Sequence, residues 1–241
     1  FLEVQARPLA AEERLILTGG VRLETMVRSG FATQAEVAPR GSVRWEVFPG
    51  GTLKAGSGLY HQAPDGTVLT FADETELLLE RAWSSETGWE QRLWDAGSFD
   101  VVGYYRRMDH LASQRARGGG PGEEGEVDFA NVGVGRAYGL ELLLKKDAEG
   151  PLWGWVSYSL SRSERDMDPD DGIDWVPFDY DQTHNLVAVA AWRLKKWDLS
   201  ARFQYTSGNP YTPYEGAVYD LGSDTFTVVG PLMIAPGEHL V

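Results

Sequence analysis

The chain has 241 residues, with 36 acidic side chains against 22 basic ones and a net charge of −14. That balance repels a phosphate backbone, so nucleic acid is not an expected partner. Cysteine is absent, which excludes disulfides, thiolate catalysis and cysteine-based zinc or iron–sulfur sites, while nine Trp, ten Tyr and 28 Gly suit a sheet with aromatic girdles and tight turns.

The first residues, from Phe1, carry no basic n-region and no apolar h-region, so any secretory signal is expected outside this sequence. No apolar run reaches the ~18 residues of a spanning helix, which says nothing against barrel strands of about 9–11 alternating residues. Alternation starts within 13–28, where Leu15, Leu17, Val21 and Leu23 oppose Thr18, Arg22 and Glu24. It returns at Val43, Trp45 and Val47 against Arg44 and Glu46, ahead of a tight turn at Pro49-Gly50-Gly51. Segments 98–112 and 130–146 are each long enough for ten or more extended residues, and in the second Tyr138, Leu140, Leu142 and Leu144 share one face. Leu152, Val156, Tyr158 and Leu160 oppose Ser157, Ser159 and Ser161, and Leu199, Ala201, Phe203 and Tyr205 oppose Ser200, Arg202, Gln204 and Thr206. Short turns at 49–51, 95–97, 147–150 and 195–197 alternate with long connections at 29–40, 63–76, 113–129, 164–181 and 207–222. That rhythm predicts an all-β, antiparallel up-and-down barrel wall with tight turns on one rim and long loops on the other.

Three local patterns resemble chemical sites, and each has a plainer reading. Gly120 to Gly125 formally fits a dinucleotide loop, but Glu123 and Glu124 would repel a pyrophosphate, so a loop tip is expected. Asp166, Asp168, Asp170, Asp171 and Asp174 make an acidic run that is a weak candidate for Ca²⁺. Its glycine falls one place late and Pro177 stands where an EF-hand needs its closing Glu, which excludes that motif. Asp181 and His184 are three apart in an extended segment, so they leave on opposite faces and make a poor acid/base pair. No catalytic residue, metal centre or cofactor is assigned, and no enzyme is expected.

The run GRAYGLELLLKKDAEGPLWGWVSYSLSRSERD (135–166), then WVPFDYDQTHNLVAVAAWRL and WDLSARFQYTSGNPYTPYEGAVYD, resembles the C-terminal β-barrel of TonB-dependent outer-membrane receptors. SVRWEVFPGGTLKAGSGLYHQAPDG (42–66) resembles one of its hairpins. The resemblance implies a 22-stranded barrel around an N-terminal plug, set in the outer membrane of a Gram-negative-type bacterium and importing a bulky nutrient with energy from TonB. Residues 1–241 then form a partial barrel domain of about ten to twelve strands, with the plug, the early strands and the last strands expected elsewhere. No site residue transfers from the family motif by motif.

A lipid-facing Arg at the bilayer midplane costs roughly 2–4 kcal/mol, which turns Arg202 toward the lumen and sends Leu199, Ala201, Phe203 and Tyr205 outward, with Leu186, Ala188, Ala190 and Trp192 beside them. Ligand-facing candidates are Trp175, Asp181, Asn185, Arg202, Gln204, Tyr211 and Tyr214, and the ligand is an unidentified small molecule or glycan. The alternative is a soluble or surface-attached all-β carbohydrate-binding module, in which Trp175, Tyr211, Tyr214 and Tyr219 stack on sugars.

Overall fold

The computed structural model describes residues 2–8, 14–72, 76–93, 96–117, 126–167, 169, 175–211, 214–220 and 225–231. Side chains are described for these except residues 71, 115–117, 126–128 and those beyond 211. One 11-stranded antiparallel sheet dominates. Its strands are β1 (Leu2–Ala6), β2 (Leu15–Met26), β3 (Gln34–Phe48), β4 (Gly51–Gln62), β5 (Glu80–Leu93), β6 (Gly97–Arg117), β7 (Glu126–Lys146), β8 (Leu152–Asp166), β9 (Val176–Pro177), β10 (His184–Leu194) and β11 (Trp197–Thr206). The strands lie side by side in chain order, except that the short β9 pairs with β8 off the main path. A separate hairpin joins β12 (Tyr214–Asp220) to β13 (Thr225–Pro231).

Cross-strand partners share a face, so the register assigns every side chain. One row runs Trp45, Leu53, Trp89, Val101, Leu142, Tyr158, Leu186 and Tyr205. Its neighbours on the same side include Leu140, Leu160, Ala188 and Phe203. Trp45, Leu53, Leu140, Leu160, Phe203 and Tyr205 stand exposed, with Leu199 beside them, the rest of the row is half-buried by its neighbours, and among the described residues no second layer covers this side. The opposite side carries Thr18, Arg22, Ser42, Arg40, Glu86 and Arg106 around a groove of about 900 Å³. The apolar side is therefore convex and the polar side concave. The row itself slants, beginning at Trp45 near the Phe48 end of β3 and finishing at Tyr205 near the Thr206 end of β11. A steady stagger along the hydrogen-bonded direction is what tilted barrel strands require.

The strand ends joined by tight connections, after β3, β5, β7 and β10, share one rim, and those joined by longer ones, after β2, β4, β6 and β8, share the other. Three expected loops are shorter than the sequence suggests, and in the one over 113–129 strand β6 runs on to Arg117 and β7 already starts at Glu126. Residues 34–40 continue β3 rather than belonging to a loop over 29–40, and Pro39 sits within the strand opposite Val21. Strand β12 likewise begins inside the expected 207–222 loop. A short helix, α1 (Gly66–Phe71), occupies the 63–79 connection, and Asp65 caps it by accepting from Thr67 N at 2.8 Å. No helix among the described residues is long and apolar enough to cross a membrane, which has no bearing on crossing by strands.

Candidate functional site

Near the narrow rim the concave face carries like charges directly opposite one another, Arg44 across from Lys54 and Glu90 across from Asp100. Each arrangement alone would repel. They are reconciled diagonally, because Arg44 Nη2 donates to Glu90 Oε2 at 2.8 Å and Lys54 Nζ donates to Asp100. Further up the same face, Arg22 meets Glu24 at 3.1 Å and Arg40 meets Glu3 at 3.6 Å. The half of the wall built by β8, β10 and β11 differs. Ser157 and Ser159, with Val187, Asn185, Gln204 and Thr206, give it a largely neutral surface of hydroxyls and amides.

At the wide rim the 63–79 connection is tied down from both sides. Gln34 Nε2 donates to Leu77 O at 2.7 Å and Gln34 Oε1 accepts from Leu79 N at 2.9 Å. Asn131 Oδ1 accepts from Leu78 N at 2.7 Å, and its Nδ2 donates to Leu78 O and to His110 O. By register Gln34 lies on the concave side, Asn131 sits in the irregularity between Gly133 and Ala130 of β7, and Leu77 between the two amides is only 2% exposed. Arg28 Nη2 donates to Leu69 O at 2.9 Å and also to Ala72 O, satisfying carbonyls at the end of α1 that have no helical partner. Sequence reasoning missed this clasp. Its one local signal was Asp65 placed ahead of Gly66-Thr67, an N-cap pattern.

The candidates named from sequence are not gathered in one place. Arg202 and Gln204 stand on the concave face and bond to each other, Nη2 to Oε1 at 3.0 Å. Asn185 is on that face too, its Oδ1 buried with no partner among the described residues. Two candidates need correction. Asp181 is 4% exposed, and its Oδ1 accepts from Ser163 N at 2.7 Å while Oδ2 lies 3.9 Å from Arg162, so its carboxylate holds the β8–β10 connection together instead of facing a ligand. Trp175 packs under the Arg136 guanidinium at 4.4 Å, and Arg136 belongs to the convex side, so this indole does not face the lumen. Tyr211 is 71% exposed. Tyr214 opens β12, and its side chain lies outside the described residues, as do Asp168, Asp170, Asp171 and Asp174. Asp166 pairs across from Val134, and no metal-binding group of three acidic or histidine side chains occurs among the described residues. His184 bonds Tyr158 Oη through Nδ1 at 2.8 Å on the convex side, well separated in role from Asp181.

A slanted antiparallel sheet with an apolar convex face, a charged and hydroxylated concave face, and tight turns confined to one rim defines the wall of a barrel of the membrane type. The family model for the TonB dependent receptor-like β-barrel matches residues 1–233, and the chain belongs to that family. No curated protein matches it. Among solved structures it is similar in fold to the ferric-catecholate import receptor Fiu of E. coli K12 in its closed form (TM-score 0.60, 14% identity, 89% of this chain and 34% of that one). The copper transporter OprC is similar as well (0.60, 18%, 84% and 34%). So is the FrpB iron transporter of Neisseria meningitidis (0.57, 16%, 79% and 30%). The chain spans about a third of the length of each.

Proposed function

We propose that this chain is part of the wall of an outer-membrane transport protein, a TonB-dependent receptor of about 22 strands that imports a bulky nutrient and carries out no chemistry of its own. The partners in this reading are outer-membrane lipid on the convex face, a plug domain inside the lumen, the TonB energy-coupling protein acting through that plug, and a small-molecule or glycan ligand entering from the wide rim. The observation that carries it is the facing. The long strands from β2 to β11 mostly send apolar side chains to one side and polar ones to the other, β10 with Val187, Val189 and Ala191 on the polar side being the exception, and among the described residues nothing packs on the apolar side. Family membership and the fold of iron and copper transporters support the same reading. A soluble carbohydrate-binding module would need a second layer to cover Leu199, Phe203 and their neighbours, and the described residues supply none.

The test is topology in the intact receptor on living cells. Cysteine at Gly66 or Tyr180, on the wide rim, should react with a membrane-impermeant maleimide, and cysteine at Glu149, on the narrow rim, should not. Equal labelling of all three would defeat the membrane reading, and labelling of Glu149→Cys alone would invert the orientation.

A further inference from the structure

The pairing of β3 with β4 runs from Phe48 across from Gly51 up to Arg40 across from Gly58, and the register stops there. Both strands go on toward the wide rim, β3 to Gln34 still paired with β2, and β4 to Gln62 still paired with β5. The next residue of β3 is Pro39, which has no N–H to give a neighbouring strand. Above it the β2–β3 and β4–β5 hairpins part, and residues 34–39 of β3 run alongside the split for roughly 20 Å.

The links that cross the split run from side chains to backbone. Glu24 Oε2 accepts from His61 N at 2.9 Å, in the place that a β3 carbonyl would take if the ladder continued, and Glu24 Oε1 is held by Arg22 Nε at 3.1 Å. Glu24 belongs to β2, so its carboxylate reaches past β3 on the concave side to make this bond. Nearer the rim, Gln34 holds Leu77 and Leu79, and Arg28 holds Leu69 and Ala72. The split also goes through the wall. His61 stands on the convex side by its register with Arg81, yet it lines the groove of about 900 Å³ together with Tyr60, Arg22 and Arg40. Its Nδ1 is buried with no partner among the described residues. On the outer side Val21, Leu23 and Val37 of the β2–β3 hairpin are exposed. From Gly51 at the narrow rim to Leu59 a tilted strand climbs roughly 20 Å, so the lower end of the split meets the top of an apolar band about 25 Å tall.

We infer that the seam between β3 and β4 is a lateral port, a slit through which the lumenal groove communicates with the outer edge of the bilayer when the Glu24 carboxylate releases His61 N. A continuous ladder parts only when many backbone bonds fail together. The seam is fastened by the side chains of Glu24, Gln34 and Arg28, so it opens at the loss of far fewer bonds, and Pro39 keeps the ladder from closing over it. The groove thereby gains a second entrance besides the wide rim. This rests on the membrane reading proposed above.

Double electron–electron resonance on the intact receptor in detergent tests it, with nitroxides on cysteines at Val37 and Arg81 across the slit, and at Val43 and Thr87 across the paired part of the same strands. The lower pair should give one narrow distance in every variant. Glu24→Ala should add a longer distance to the upper pair alone, with the open-to-closed ratio raised about tenfold over the parent. Pro39→Ala, which restores an N–H to β3, should lower that ratio when added to Glu24→Ala. Glu86→Ala, on the same concave face, should leave the upper pair as in the parent. A single narrow distance for the upper pair in Glu24→Ala, broadening of both pairs alike, or an open fraction that Pro39→Ala does not lower would each overturn the port. Should Glu24→Ala lose its β-sheet circular dichroism, Glu24→Gln carries the same test, with about a threefold rise expected. Failure of the membrane reading shows separately, before any label is attached, as a receptor that stays monomeric in buffer without detergent.

Discussion

Asp181 illustrates how a residue chosen for its chemistry can serve the fold. Its carboxylate satisfies Ser163 N inside the connection between β8 and β10, and the same segment is held by Phe178 N donating to Ser163 O. Asp181→Ala leaves a buried amide unpaired, an expected cost of about 1–3 kcal/mol. Hydrogen exchange at Ser163 should accelerate in that variant while exchange along β6 stays as it was. Gly139 makes the complementary case for a residue defined by space. A Cβ there would sit 2.4 Å from Leu160 O and 2.8 Å from Tyr104 Oη, because the Tyr104 ring lies over its cross-strand glycine. Gly139→Val should cost roughly 1–3 kcal/mol through overpacking, read as a lower melting temperature of the intact receptor. Gly139→Ala should be milder but in the same direction.

Among the elements, the clasped 63–79 connection makes the sharpest prediction. Removing both side-chain amides, Gln34→Ala with Asn131→Ala, takes away the partners of the backbone at Leu77, Leu78 and Leu79. Limited proteolysis should then cut within 63–79 in the double variant and spare it in the parent. Unchanged protection would mean that burial of Leu77 alone secures the loop. The cap at Asp65 should outlast mild acid, because the Thr67 backbone N–H and hydroxyl hold its carboxyl below the ordinary value. A carboxyl with a lowered folded-state pKa contributes above the unfolded value and loses its contribution as pH falls through the folded one. The long strands were legible in the sequence because a period of two survives in most of them, and Leu199 to Thr206 reads directly as β11 with its alternation intact. Residues 34–40 were not, because Pro39 and Gly41 look like loop punctuation when the partner strand that tolerates them is unseen. The clasp was illegible for a related reason. Gln34 and Asn131 are far apart in the chain, and nothing local marks two amides that meet only across the curvature of a sheet. Trp175 was assigned to the lumen for want of its partner Arg136, whose side is known only from the register.

At the scale of the molecule, the sheet from β1 to β11 is open among the described residues, where neither outer strand has a second neighbour. Each unpaired backbone group costs several kcal/mol in hydrocarbon, so residues 1–241 expressed alone should not insert as a stable monomer. Light scattering after size exclusion should find aggregates in buffer, or pairs of sheets joined edge to edge in detergent. A monodisperse β-rich monomer in plain buffer would be the contrary result. The slanted row from Trp45 to Tyr205 also has a mechanical meaning. Because the hydrogen-bonded direction climbs from one rim toward the other, a pull applied at a narrow-rim turn such as 147–151 does not simply peel one strand from its neighbour. It loads the ladders on both sides partly in shear, where many bonds must fail together, so the wall resists traction along the pore axis better than its individual hairpins would.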